Sequence, residues 1–304
     1  MVIPGIHHVT AIASDPQRNL DFYTGVLGLK LVKLTVNFDD PGTYHFYFGN
    51  ASGAPGTILT FFPWPGTSRG RHGTGQAVAT AFSAAAGSLD FWNERLTAQG
   101  VEVREPEVRF GEPVLGFSDP DGLELELVAA ATGEGDRAVS GFHSVTLSES
   151  GYESTAALLT GIYGFELVGQ EGARFRYTAP GIGVGKIVDL VCLPDARSRL
   201  MGAGTVHHVA FRAESDLVQA EWRAKLSEWG FNVTPVLDRE YFHSIYFREP
   251  GGVLFEIATD PPGFAIDEPP DQLGTQLKLP PWEEPRRAEL EEILPKLRLP
   301  GELK

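Results

Sequence analysis

The chain repeats itself, and the repeat constrains its fold more tightly than any single segment does. GIHHVT (5–10) is matched by GFHSVT (141–146), and VLGLKLV (26–32) by IYGFELV (162–168). A second set of matches links AQGVEV (98–103) with EWGFNV (228–233), and FSDPDGLELEL (117–127) with FREPGGVLFEI (247–257). The first set joins units one and three and the second joins units two and four, which is an A-B-A-B duplication. A ligand position found in one unit can therefore be checked in its counterparts.

Each unit reads as βαβββ. In the first, the alternating strand GIHHVTAIA runs into Ser14, Asp15 and Pro16, a polar N-cap followed by proline at the first helical position. Leu20, Tyr23 and Leu27 then share a helix face, and Gly28 sits where a C-terminal cap is wanted. LKLVKLTVNF, TYHFYFGN and GTILTFFPW follow as strands. Residues 69–76 have no period and read as a long loop. In the second unit VATAFSA is a strand, Ser88 is expected to cap a helix carrying Leu89, Trp92 and Leu96, and VEVREPEV, EPVLGFSDP and LELELVA supply three more strands. ATGEGDRA (131–138) reads as a small-residue linker. The third and fourth units repeat the order. The expected class is α+β, with one pair of modules in 1–132, another in 133–262, and a Pro-rich acidic tail over 263–304 that includes a short amphipathic helix in RRAELEEILPKL. GIGVGK (181–186) lacks the spacing and following helix of a phosphate loop and reads as a turn beside a strand.

Composition narrows the function. A formal net charge of −15 over 304 residues repels phosphate backbones and anionic lipid, so neither nucleic acid nor a membrane is an expected partner. No apolar run is long enough to span a bilayer and MVIPGIHHV lacks the regions of a secretion signal, which makes a cytoplasmic location the expectation. The single cysteine, Cys192, excludes a disulfide framework or a Cys-rich metal site, so any metal would need histidine and carboxylate ligands. A tail of this composition suits wrapping a surface or an interface, and a homo-oligomer is compatible with it.

Comparing matched positions selects such ligands. The first-strand slot holds His8, Ala79, Ser144 and His208 in the four units, and the last strand of the B-type units offers Glu126 and Glu256. His8, His208 and Glu256 form the combination with two histidines and one carboxylate, the set that holds non-haem Fe(II) while leaving positions open for O2 and an organic substrate. His143 in place of His8 is the rival, although Ser144 occupies the matching register. Glu126 reads as a relic or an ordinary surface acid. His7 and His207 should point away from a metal unless a bulge turns them inward, and Thr10 should share the face of His8. Tyr241 and Phe242 read as plain packing; Arg239, His243 and Tyr246 could bring polar chemistry near an iron.

These residues resemble the vicinal oxygen chelate superfamily and, within it, the hydroquinone-type ring-cleaving dioxygenases. The resemblance rests on GIHHVTAIASDPQ, VLGLKLVK, GRHGTGQ, VHHVAF, DREYFHSIYFREPGGVLFEIATD and LPPWEEPR, which span nearly the whole chain. It implies paired modules forming two incomplete barrels, Fe(II) held by His8, His208 and Glu256, and supporting roles beside the metal for His7, Thr10, His207, Arg239 and Tyr246. The implied partners are an aromatic diol and O2. Catechol cleavage and a glyoxalase-like isomerisation would keep fold and metal but change the substrate. A binding protein of the same fold without turnover would need no such triad.

Overall fold

The computed structural model of the protein describes residues 1–130 and 139–301, so the expected linker at 131–138 lies outside the described residues. The first unit supplies β1 (Ile6–Ala13), β2 (Lys30–Asn37), β3 (Asp40–Gly49) and β4 (Ile58–Pro63). The second supplies β5 (Gln76–Ala85), β6 (Glu107–Arg109), β7 (Glu112–Ser118) and β8 (Glu124–Ala130). The third has β9 (Phe142–Glu149), β10 (Glu166–Glu171), β11 (Arg174–Thr178) and β12 (Ile187–Cys192), and the fourth β13 (Thr205–Ala213), β14 (Leu237–Asp238), β15 (Phe242–Arg248) and β16 (Leu254–Pro262). Each unit's helix follows its first strand: α1 (Pro16–Asp21), α2 (Leu89–Ala98), α3 (Glu153–Ala157) and α4 (Asp216–Glu228).

The strands form two curled eight-stranded sheets, in the orders β14-β15-β16-β13-β1-β4-β3-β2 and β10-β11-β12-β9-β5-β8-β7-β6. The sheets do not follow the halves 1–132 and 133–262. Unit one pairs with unit four through antiparallel β1 and β13, and unit two pairs with unit three through β5 and β9. Each sheet thus joins an A-type first strand to a B-type first strand, the outermost units meeting in one sheet and the inner pair in the other.

Local details follow the sequence with small departures. Asp15 caps α1 by accepting from the Arg18 amide, and Gly28 takes a positive φ of 71° after the helix has widened into a π turn. Ser88 does not cap α2, because its hydroxyl donates back to the Ala85 carbonyl at 2.8 Å. VEVREPEV is strand only at its end, where Pro106 precedes the short β6.

The tail lies along the outer strand of the first sheet. Lys278 donates its amide to the Leu34 carbonyl at 2.9 Å, Leu290 and Leu294 of the region around α5 (Arg287–Ile293) are buried, and the Tyr44 hydroxyl donates to the Pro295 carbonyl. This covers a strand edge that would otherwise offer unpaired backbone groups. Lys33, fully buried on β2, is clasped by Asp267 and Glu268 of the tail. Among the described residues no helix is long and apolar enough to cross a membrane.

Candidate metal centre

Sheet register carries the candidate ligands to one place. His8 lies opposite Ala210 across β1 and β13, Ala210 opposite Glu256 across β13 and β16, and Glu256 opposite Tyr246 across β16 and β15. His208, two residues before Ala210, shares its face. The methyl of Ala210 leaves the middle of this row open. His8 Nε2 and His208 Nε2 stand 3.3 Å apart, and Glu256 Oε2 lies 3.3 Å from the first and 2.9 Å from the second. Among the described residues these three form the set of histidine and carboxylate groups able to hold a metal ion.

Their protonation suits that use. Burial keeps His208 neutral, its pKa lowered. Although burial favours protonation of Glu256, His8 and His208 beside it hold its carboxyl well below the usual range. Ser244 donates to Glu256 Oε1, whereas the buried Oε2 accepts no hydrogen bond. Two imidazole Nε2 atoms and a carboxylate oxygen that accepts no other bond thus face one another. Such a cluster is held together by a cation among its lone pairs, a proton or a metal ion. The donor set therefore fits a metal ion.

Two bulges set the neighbouring histidines. The β1–β13 register passes from Ile6 to His8 opposite Phe211 and Ala210, leaving His7 as the extra residue, and from Thr10 to Ala11 opposite His208 and Val206, leaving His207 as the extra residue. Strict alternation thus fails at both positions. His7 Nδ1 meets His8 Nδ1 at 2.9 Å, and His207 Nδ1 meets His208 Nδ1 at 2.8 Å. The two then diverge: His207 faces the central cavity, while His7 lies behind the site against Phe242 and faces a separate small cavity. Burial, reinforced by the facing His208, pushes the His207 pKa down to about 3.

Beside the triad lies a cavity of about 390 Å³ walled by Phe38, Phe62, Trp64 and Phe242. Phe242, expected as plain packing, has its ring centre 5.1 Å from that of His8, tilted by 37°, and belongs to this wall; Tyr241 does pack away from it, bonded to Asp267. Arg239 and Tyr246 also reach the cavity. Asp39 holds the Arg239 guanidinium through two bonds of 2.9 and 3.1 Å, and that guanidinium lies 5.6 Å from the centre of the Tyr246 ring. Burial and the nearby Glu256 raise the Tyr246 pKa, so its phenol stays protonated. His243 is instead spent on Asp216 at an exposed surface.

Thr10 does not touch the cavity. It supports the wall, bonding Thr60, which bonds His45 Nε2, while Tyr47 bonds His45 Nδ1. His45 and Asp39 were not singled out from the sequence, yet both line the cavity. The available signal was a histidine alternating with aromatics in TYHFYF, on the strand that follows an Asp-Asp-Pro-Gly turn.

The second sheet has the same row with the acid but without the two histidines. Ser144, Ala81 and Glu126 stand opposite one another, and His143 sits at the bulge equivalent to His7. Glu126 is buried rather than superficial, and Arg109 binds it through bonds of 2.8 and 3.0 Å. His143 is held between Ser144 and Glu112, far in register from the triad. Arginine fills the ground that the first sheet leaves open.

A family model described as the Glyoxalase/Bleomycin resistance protein/Dioxygenase superfamily matches residues 5–127 and 141–257. The Bacillus subtilis protein named "Putative ring-cleaving dioxygenase MhqO" is 50% identical over 300 residues, 95% of each chain. The chlorohydroquinone/hydroquinone 1,2-dioxygenase of Sphingobium indicum is 35% identical over 308 residues, again 95% of each. A crystal structure of a dioxygenase candidate from Bacillus subtilis superposes with a TM-score of 0.95 at 48% identity, covering 98% of this chain and 99% of that one.

Proposed function

We propose that this chain, which belongs to the Glyoxalase/Bleomycin resistance protein/Dioxygenase superfamily, is an Fe(II)- and O2-dependent dioxygenase that opens the ring of hydroquinone-type aromatics next to a hydroxyl. The observation that carries this reading is the convergence of His8 Nε2, His208 Nε2 and the unbonded Glu256 Oε2 beside an aromatic-walled cavity. Relatives named as ring-cleaving and hydroquinone dioxygenases over almost their full length support it.

His8, His208 and Glu256 would hold the ion. Bound there, Fe(II) supplies the chemistry by which O2 reacts with an organic substrate. The chain's own residues do the rest. With ligation through Nε2, His8 and His208 each keep a proton on Nδ1, and His7 and His207 accept it, fixing both tautomers. His207 then presents Nε2–H to the cavity as a donor. Phe62 and Phe242 exclude water and pack the substrate ring. A para-diol reaches the metal through one hydroxyl, so its other oxygen needs protein partners. Arg239, oriented by Asp39, and the protonated Tyr246 are those partners, stabilising negative charge as it develops.

The test is O2 uptake by protein loaded anaerobically with Fe(II), offered hydroquinone, catechol and a methylglyoxal–thiol adduct. Hydroquinone should consume O2 fastest. Rapid opening of catechol with hydroquinone untouched, or full activity on the thiol adduct with zinc, would sink the assignment.

A further inference from the structure

A second cavity, of about 180 Å³, lies on the other side of His207 and Leu254, which line both spaces. Its walls carry Arg199, Arg248, Gln76 and Met201. In a chain with net charge −15, two arginines meeting at one cavity would be expected to find carboxylates. Among the described residues no acid stands within ion-pair distance of either, and the buried Glu249 acts on Arg199 only from farther off. The Arg199 guanidinium donates to the Gly75 carbonyl and that of Arg248 to the Gly252 carbonyl at 3.0 Å, which leaves most N–H groups of each fork available. They are close enough that, besides burial, Arg248 lowers the pKa of Arg199. Gln76, 2% exposed, completes the wall. Its amide nitrogen meets only Met201 sulfur at 3.7 Å, and its buried amide oxygen has no partner. An amide so loosely held can turn its N–H groups toward an anion.

We propose that this second cavity is a carboxylate-binding site, and that it receives the acid end of the ring-opened product. The second half rests on the ring-cleaving function proposed above. In that reaction the carbon–carbon bond beside the hydroxyl breaks and both atoms of O2 enter the product. The hydroxyl-bearing carbon becomes a carboxyl, its neighbour becomes an aldehyde, and the carboxyl releases its proton to solvent. A neutral diol has thus become an anion. Two guanidinium forks recognise the newly formed group and ignore the substrate, so the site draws product past His207 and away from the aromatic cavity.

The experiment titrates iron-loaded full-length protein calorimetrically with maleate, with dimethyl maleate as uncharged control and chloride at matched ionic strength. The same titrations are run on Arg248→Gln, Arg199→Gln and His8→Ala. Maleate should bind where its ester and chloride do not, should weaken about tenfold with loss of either arginine, and should bind His8→Ala undiminished. Arg248 is exposed, so its replacement leaves the core intact. No binding beyond that of chloride, indifference to both arginine substitutions, or loss of binding in His8→Ala would overturn the site. The product assignment is read from turnover. Product inhibition should weaken about tenfold in Arg248→Gln while KM for hydroquinone holds, and unchanged inhibition overturns it. A wild-type protein that opens no hydroquinone defeats the function and the product assignment together, whereas maleate binding decides the carboxylate site by itself.

Discussion

His7 and His207 occupy matched bulges on paired strands, and each sets its Nδ1 against the Nδ1 of the histidine that follows it. The equivalence ends at the second ring nitrogen. His207 faces the aromatic cavity, and His7 is sealed behind the site with a pKa lowered by burial and by His8.

Replacing His7 and replacing His207 should therefore produce different defects. His7→Ala should weaken metal affinity by roughly 10–100-fold, the usual effect of losing a ligand's hydrogen-bond partner, with KM for hydroquinone unchanged. His207→Ala should share that metal defect, since it too removes a ligand's partner, and even at saturating metal it should lose turnover by about 10²-fold or more; Tyr246→Phe should retain the metal and lose turnover alike. Metal titration and steady-state kinetics separate the two, and identical profiles for His7→Ala and His207→Ala would contradict the division.

Single removal of His8, His208 or Glu256 should abolish stoichiometric iron in a folded protein, and His143→Ala should keep it. Elemental analysis with circular dichroism checks this. Iron retained by Glu256→Ala but lost by His143→Ala would put the centre in the other sheet.

Glu149 gives a pH dependence unrelated to the site. It is fully buried with neither oxygen bonded, and burial together with the neighbouring Glu249 raises its pKa from 4.5 to about 8. Below the unfolded value the carboxyl is protonated in both states and costs nothing. As pH rises from about 4.5 to about 8 the unfolded chain ionises first, so the folded state loses stability across that window. Glu149→Gln stays neutral and should be more stable than the parent at pH 8 by about 1–3 kcal/mol, with the gap closing at pH 5. Urea denaturation at the two pH values measures it; a variant less stable at pH 8 refutes it.

Lys33 should govern the docking of the tail. Its ammonium is fully buried, paired with Asp267 and Glu268, and lies 4.9 Å from the centre of the Tyr241 ring. Lys33→Met strands two acids and should cost about 3–5 kcal/mol. Limited proteolysis should then cut first within the tail. Wild-type resistance of the tail in this variant would mean that its apolar contacts suffice.

The repeat made the units, their order and the triad legible, because matched slots could be compared without knowing which strands touch. Sheet partnership was not legible: apolar alternation in β1 fits β5 as well as β13, and only the assembled register separates them. The bulges at His7 and His207 were likewise hidden, since an extra residue in one strand is defined by its neighbour's count. Phe242 and His45 escaped for a related reason. An aromatic against a core and an aromatic against a ligand cavity have the same sequence pattern, and burial does not distinguish them.

The joining of the first and last units also dictates an order of assembly on the ribosome. His8 and His208 are separated by 200 positions, and the inner units that make up the second sheet are complete before β13 emerges. The arginine-filled sheet can close while the chain is still being made, whereas β1 of the opening unit must wait, one edge unpaired, for β13 in the last third of the protein. A nascent chain cut short between β12 and β16 would carry a finished second sheet and an incomplete ligand set. A metal ion held by all three groups could be captured only after translation had passed Glu256.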